Sequence, residues 1–251
     1  MIRRGVLALL LLILLISSAS AKISADFFQQ FQNANRLYQE GKYLEAAEVY
    51  EKLVQEKPMA EVYYNLGNAY FKGGKLGLSV LSYLRARNLS PRDRDLLANF
   101  FYVTQLIEYK IEDKRNWHAR KVSELLRQMT FEECKLLCFS AYFLFILGLF
   151  LSLIFKKRPL FGNVGRMAIL LVVLCSLPLL LKYAEFGSGK RGVVTEAQSE
   201  VRYGPSMSDR IAFRLVEGLE VVLDDEKEDW YRIRLRDGRS GWTAKSQVTA
   251  V

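Results

Sequence analysis

Four hydropathy regimes follow one another along the chain. Residues 6–16 form a short apolar stretch behind Arg3-Arg4. Residues 27–111 set apolar side chains at helical spacing, as where Tyr63, Leu66 and Tyr70 recur at i, i+3 and i+7. Two uncharged apolar runs come next, 136–155 and 167–181, separated by Lys156-Lys157-Arg158 and Arg166. From Arg191 onward the period falls to two. There Tyr231, Ile233 and Leu235 alternate with Arg232, Arg234 and Arg236, and Asp237-Gly238 offers a hairpin turn into Ser240-Gly241-Trp242. The pattern predicts helices, then a helical hairpin of membrane length, then five or six short strands forming a small barrel.

The first apolar run has 20 residues, which at about 1.5 Å each cover the roughly 30 Å hydrocarbon core of a bilayer. The second has 15 and reaches spanning length with 163–165 and with Lys182-Tyr183, Lys182 snorkelling outward. Transmembrane helices are therefore expected over 136–155 and 167–183, joined by a loop over 156–166. A buried hairpin in a soluble core is the competing reading, and such long runs free of charge disfavour it.

Arg3-Arg4, the apolar stretch and Ala19-Ser20-Ala21 together read as a signal peptide over residues 1–21, cleaved after Ala21 or kept as an anchor. Either way residues 22–135 are exported, and the hairpin enters the membrane and returns. Its basic loop then faces the cytoplasm, and both soluble parts lie on the extracytoplasmic side. His118, Arg120, Lys121, Arg127 and Lys135 make the approach to the first run basic too. The leader, and not loop charge, thus sets the orientation.

The net charge of +9 narrows the partners once it is divided. Residues 190–251 carry 11 basic and 11 acidic side chains, and residues 22–109 carry 11 and 10. The excess falls mainly at the N-terminus and around the apolar runs, where it marks topology and contact with anionic headgroups. It is not a nucleic-acid footprint. Cys134, Cys138 and Cys175 all lie in or beside the apolar runs, so no disulfide staples either soluble part.

Within residues 27–93 the chain repeats. Gly41-Lys42-Tyr43-Leu44-Glu45-Ala46-Ala47 recurs 33 positions on as Gly74-Lys75-Leu76-Gly77-Leu78-Ser79-Val80, and Pro58 recurs as Pro91. Periods of this size signal stacked supersecondary units. Residues 60–93 resemble the tetratricopeptide repeat (TPR) at Tyr63, Leu66, Gly67, Tyr70, Tyr83, Ala86 and Pro91, with Ser79 replacing the usual Ala. Residues 27–59 resemble it at Ala34, Gly41, Tyr43, Ala46, Tyr50 and Pro58, with Asn33 replacing the usual Leu. The helical domain is placed at 22–111, its last apolar segment, 95–111, capping the stack. The resemblance implies a groove for peptides or partner helices, lined here by Phe31, Asn35, Tyr38, Tyr64, Asn65 and Asn68. Asn65 and Asn68 fit equally well as part of the repeat's own packing. No Lys or Arg stands at Phe31 or Tyr64, so a carboxylate-clamp mode is not supported. The connector 112–135 has an amphipathic stretch near 122–131, either lying along the membrane surface or simply extending the first span.

The C-terminal part, 190–251, resembles the bacterial SH3 family (SH3b). The resemblance rests on Glu200-Val201-Arg202-Tyr203-Gly204-Pro205-Ser206, Glu217-Gly218-Leu219-Glu220-Val221, Asp229-Trp230-Tyr231-Arg232-Ile233 and Asp237-Gly238-Arg239-Ser240-Gly241-Trp242. It implies an SH3-like barrel that binds wall peptides or proteins beside aromatic residues, here Tyr203, Trp230 and Trp242. The two tryptophans belong to the fold signature and fit barrel packing as well as binding.

Neither soluble part offers Cys/His metal spacing, a nucleophile elbow or a Ser-His pair. Gly187-Ser188-Gly189-Lys190 lacks the spacing of a phosphate loop and reads as a linker. No catalytic residue, metal or cofactor is expected, and the chain reads as a non-enzyme. The order of signal peptide, TPR pair, two-span hairpin and SH3b domain resembles the BatE-type proteins of bacterial aerotolerance operons. That resemblance implies an inner-membrane scaffold in envelope stress, working with von Willebrand A-type membrane proteins and a MoxR-type ATPase. The alternative is an envelope sensor whose SH3b domain binds peptidoglycan.

Overall fold

The computed structural model describes residues 25–107, 116–154, 163–187 and 190–251. The leader expected at 1–21 and most of the basic loop expected at 156–166 lie outside these residues. The described chain is multidomain, with an all-α repeat region, two apolar helices and an antiparallel sheet domain.

The repeat region comprises α1 (residues 25–39), α2 (Tyr43–Glu56), α3 (Ala60–Lys72), α4 (Leu76–Leu89) and α5 (Arg94–Gln105). The period shows in its turns. Gly41 and Gly74 take φ of +80° and +74°, the left-handed conformation that a side chain disfavours. At each, two hydrogen bonds close the helix end: Lys42 N–H donates to Leu37 O at 2.9 Å and Gly41 N–H to Tyr38 O at 3.1 Å. Lys75 to Tyr70 and Gly74 to Phe71 repeat these lengths. This is the Schellman closure, which satisfies carbonyls otherwise orphaned at a helix end.

Packing of α3 on α4 depends on Gly67. A Cβ added there would lie 2.7 Å from the buried Tyr83 ring. Ser79, where the repeat favours Ala, is fully buried and its hydroxyl donates to Gly67 O at 2.8 Å. The departure from Ala is thus a satisfied polar group.

Helix α4 is buried on nearly every side, at Gly77, Ser79, Val80, Leu81, Ser82, Tyr83, Leu84 and Ala86. A helix needs that only if it has neighbours all round. One side faces α3, another α5, and a third receives the C-terminal domain.

That domain is a seven-stranded antiparallel sheet in the order β3-β2-β6-β5-β4-β1-β7. Its strands are β1 (Lys190–Val194), β2 (Gln198–Arg202), β3 (Ile211–Val216), β4 (Glu220–Lys227), β5 (Trp230–Arg234), β6 (Ser240–Ala244) and β7 (Val248–Ala250). Seven strands replace the five or six expected, because β1 and the short β7 pair along an edge the alternation does not mark. Val201, Leu215, Val221, Leu223, Ile233 and Val248 fill its core. Val193 of β1 instead joins the core of α4 and α5, among Val80, Leu84, Leu96 and Val103. The two domains therefore share a hydrophobic cluster.

Between them run α6 (Trp117–Arg127), α7 (Phe131–Ile154) and α8 (Asn163–Gly187). The connector does not simply extend α7. Thr130 breaks it with a capping box: Thr130 N–H donates to Glu133 Oε2 at 2.8 Å, and Glu133 N–H to Thr130 Oγ1 at 3.1 Å. Helix α6 exposes Trp117, Val122 and Leu125. Helices α7 and α8 pack on one another, with Cys138 Sγ 3.3 Å from Ser176 Oγ, yet leave Phe139, Phe143, Phe150, Leu170, Leu174 and Leu180 bare. Phe131–Phe150 and Arg166–Tyr183 are long and apolar enough to cross a membrane. Arg92 of the repeats pairs with Glu133 at the start of α7.

Candidate functional site

The first candidate surface is built on the repeat itself. Asn35 Oδ1 accepts from Tyr50 Oη at 2.6 Å and from Asn65 Nδ2 at 3.3 Å. One repeat later, Asn68 Oδ1 accepts from Tyr83 Oη at 2.5 Å and from Asn99 Nδ2 at 3.0 Å. The rings repeat too: Phe31 on Tyr50 and Tyr64 on Tyr83 both have centroids 6.1 Å apart. A ladder of Tyr–Asn–Asn bonds thus runs along one face of the stack, built from α1, α3 and α5 with rungs from α2 and α4.

Burial, aided by nearby Tyr38, pushes the Tyr50 hydroxyl up to about 12, and burial likewise raises Tyr83. Both stay protonated donors, which suits an asparagine oxygen as acceptor. Tyr38 sits edge-on to Tyr43 at 5.2 Å. All six expected groove residues, Phe31, Asn35, Tyr38, Tyr64, Asn65 and Asn68, are half-buried and come together here. Asn35, Asn65 and Asn68 each engage in the repeat's own bonding. Asn99, whose Nδ2 also donates to Tyr64 Oη at 2.9 Å, belongs to the same face. Its signal lies in its place 34 positions after Asn65.

The cleft of about 550 Å³ lies elsewhere. Val54, Tyr63, Tyr70, Leu81, Arg85 and the C-terminal Val251 help to line it, and none of the six groove residues does.

On the sheet domain, register decides the faces. Tyr231 pairs with Thr243 and Ile233 with Gly241, the inward set. Trp230 and Trp242 take the other parity, with Arg232 opposite Trp242 and Trp230 opposite Ala244. The tryptophans are therefore diagonal neighbours on the outer face, within reach of one another. Both are half-buried and lie outside the central cluster, so packing on the barrel's outer face and binding both stay open to them. Tyr203 is 73% exposed, on the loop that Arg202 ties down through Met207 O at 2.9 Å and Asp209 O at 2.7 Å. His118, the sole histidine, stacks on Trp117 at 3.6 Å on exposed α6.

Residues 34–74 match the family model of the TPR repeat, and residues 196–249 match that of the bacterial SH3 domain. The chain carries a TPR unit and a bacterial SH3 domain. A search of curated proteins finds no match to it. The Tyr50–Asn35–Asn65 rung falls within the matched TPR residues, and the next rung runs from Asn68 to Tyr83 and Asn99 beyond them. The outer tryptophans and Tyr203 fall within the SH3b domain. Domains of both kinds are interaction modules, for proteins or for peptidoglycan.

Proposed function

We propose that this chain is a non-catalytic scaffold of the BatE type, held in the bacterial inner membrane with both domains on the extracytoplasmic side. Its TPR face captures a protein partner, with von Willebrand A-type membrane proteins, acting alongside a MoxR-type ATPase, as the class implied by the resemblance. One observation carries the reading. The TPR and SH3b domains share the cluster around Val80 and Val193, while the residues of their two candidate binding faces stay at least partly exposed. That packing supports a reading in which both domains share one side of the membrane, as two crossings by α7 and α8 would leave them.

Groove capture is tested by recovering tagged full-length protein from mildly crosslinked membranes. Tyr64→Ala with Asn68→Ala reduces partner recovery at least several-fold, judged at matched folded protein by melting temperature. Unchanged recovery removes the groove from the account.

A second reading has its own observation, the outward placement of Trp230 and Trp242. It makes the SH3b domain a peptidoglycan contact. Full-length protein in detergent then pellets with purified cell walls and Trp230→Ala with Trp242→Ala does not. Equal pelleting of both sinks this reading.

A further inference from the structure

Four elements, of which only α8 and β1 are consecutive in the chain, meet where α8 leaves its apolar span. Arg87 of α4, Arg127 of α6, Lys182 of α8 and Arg191 of β1 line one small cavity, closed on the α6 side by Leu126 and Met129. No carboxylate among the described residues lines it. Lys182 is only 9% exposed, and Lys182, Arg127 and Arg191 each have further interactions of their own. What stands out is the balance of charge and the state of Arg87. Its guanidinium carbon lies 4.6 Å over the Phe100 ring, and its buried Nη2 makes no hydrogen bond among the described residues. A buried charged donor left unmet is costly, and such groups in folded proteins point to an ion or water that meets them.

The nearby carboxylate is Glu220, which pairs with Arg236 at 3.1 Å. Burial acts to raise its pKa, and Arg236, then Arg87, Arg127 and Arg191, outweigh that and hold it below the usual carboxylate range. On the other side, burial first and then Arg127, Arg191 and Arg236 bring the Arg87 guanidinium down to about 10, against the pull of Glu220. Among the described residues, Glu220 is thus the carboxylate set against Arg87, Arg127, Arg191 and Arg236. Glu133, in the next turn of chain, is committed to Arg92 and to Thr130.

We propose that this junction binds a phosphate oxyanion, presented by the headgroup of an anionic phospholipid at the membrane surface. Guanidinium and ammonium groups match phosphate oxygens in charge and in donor geometry. Basic pockets beside membrane helices take lipid headgroups in this way. The enclosed volume is about 20 Å³. That is room for about one water-sized group, so a phosphate oxygen enters and the rest of the headgroup stays outside. The depth also fits, since Lys182 lies at the end of the Arg166–Tyr183 span. Occupancy would bridge the TPR unit, α6, α8 and the SH3b domain at one point.

The test is the melting temperature of full-length protein in uncharged detergent at fixed ionic strength. Short-chain phosphatidylglycerol, short-chain phosphatidylcholine and inorganic phosphate are titrated separately. Phosphatidylglycerol at saturation raises the melting temperature by about 5 °C, phosphatidylcholine does not, and Arg87→Gln and Lys182→Gln each remove at least half of the shift. Lys52→Gln, at an exposed position of α2, keeps it. Lys182→Gln answers the question alone if Arg87→Gln fails to fold. An equal response to phosphatidylcholine, or a full phosphatidylglycerol shift in both variants, overturns the site. A shift of the same size with inorganic phosphate, lost in both variants, supports the oxyanion site and overturns the lipid as its source.

Discussion

The carboxylate of Glu217, in the SH3b domain, accepts a hydrogen bond at 2.7 Å from the backbone N–H of Gly77, in the first turn of α4. Helix α4 has no side-chain cap of its own, its N-cap being Lys75. The SH3b domain thus caps a TPR helix, meeting an orphan donor and placing negative charge at the positive end of the helix dipole. Gly77 also lets the two backbones meet, since a Cβ there would come within 2.5 Å of Val194 O. Arg85 adds a bond to Ala250 O at 2.8 Å.

Removing that cap loosens the junction. Glu217→Ala costs about 1 kcal/mol, which for a protein of this size lowers the melting temperature by about 2–4 °C. Glu217→Gln, keeping an acceptor without the charge, loses less. Tryptophan fluorescence on heating reads both, and an Ala variant as stable as wild type would show that Glu217 caps nothing.

Gly67→Ala forces a methyl group against the Tyr83 ring, which is fully buried and cannot step aside. Overpacking of this kind costs about 1–3 kcal/mol. Gly148→Ala, where a Cβ meets nothing within 4 Å, serves as the neutral comparison. Equal melting temperatures for the two variants would contradict the packing described.

Glu220 makes folding pH-dependent with a definite sign. Its carboxyl is held below the ordinary range in the folded protein. The stability it contributes is therefore present above about pH 4.3, the unfolded value, and is lost as pH falls through the folded one. Wild type is expected to exceed Glu220→Gln in melting temperature at pH 7, with the gap closing toward pH 3. A gap that stays constant over that range would remove Glu220 from the charge balance at the junction.

Much of this architecture is legible in the chain, for local reasons. The 33-residue period, the turn glycines Gly41 and Gly74 and the Asp237-Gly238 hairpin are set by neighbours in sequence, and each pattern points to one geometry. The outward tryptophans are also legible. Trp230 shares its parity with Arg232 and not with Tyr231 or Ile233, so alternation already places it on the polar face. Docking of the domains is harder to see. Glu217-Gly218 reads as part of a barrel signature, and only the packed chain shows Gly218 against Ile107 and Val80. The hint is α4 itself, where Gly77 replaces the Leu44 of the first repeat and no side is polar enough to face water. The basic cavity is not legible at all. Arg87, Arg127, Lys182 and Arg191 come from four elements, and nothing in their separate surroundings marks them as neighbours.

Photo-crosslinking in intact membranes shows whether the TPR face holds a protein partner. A photoreactive phenylalanine analogue is placed in separate variants at Tyr38 on that face, at Trp230 on the SH3b domain and, as the comparison, at exposed Lys52 on α2. A discrete crosslinked protein partner is expected from Tyr38 and none from Lys52. Crosslinks of equal yield from Tyr38 and Lys52, or none from Tyr38 while Trp230 yields wall fragments, would contradict partner capture at the TPR face.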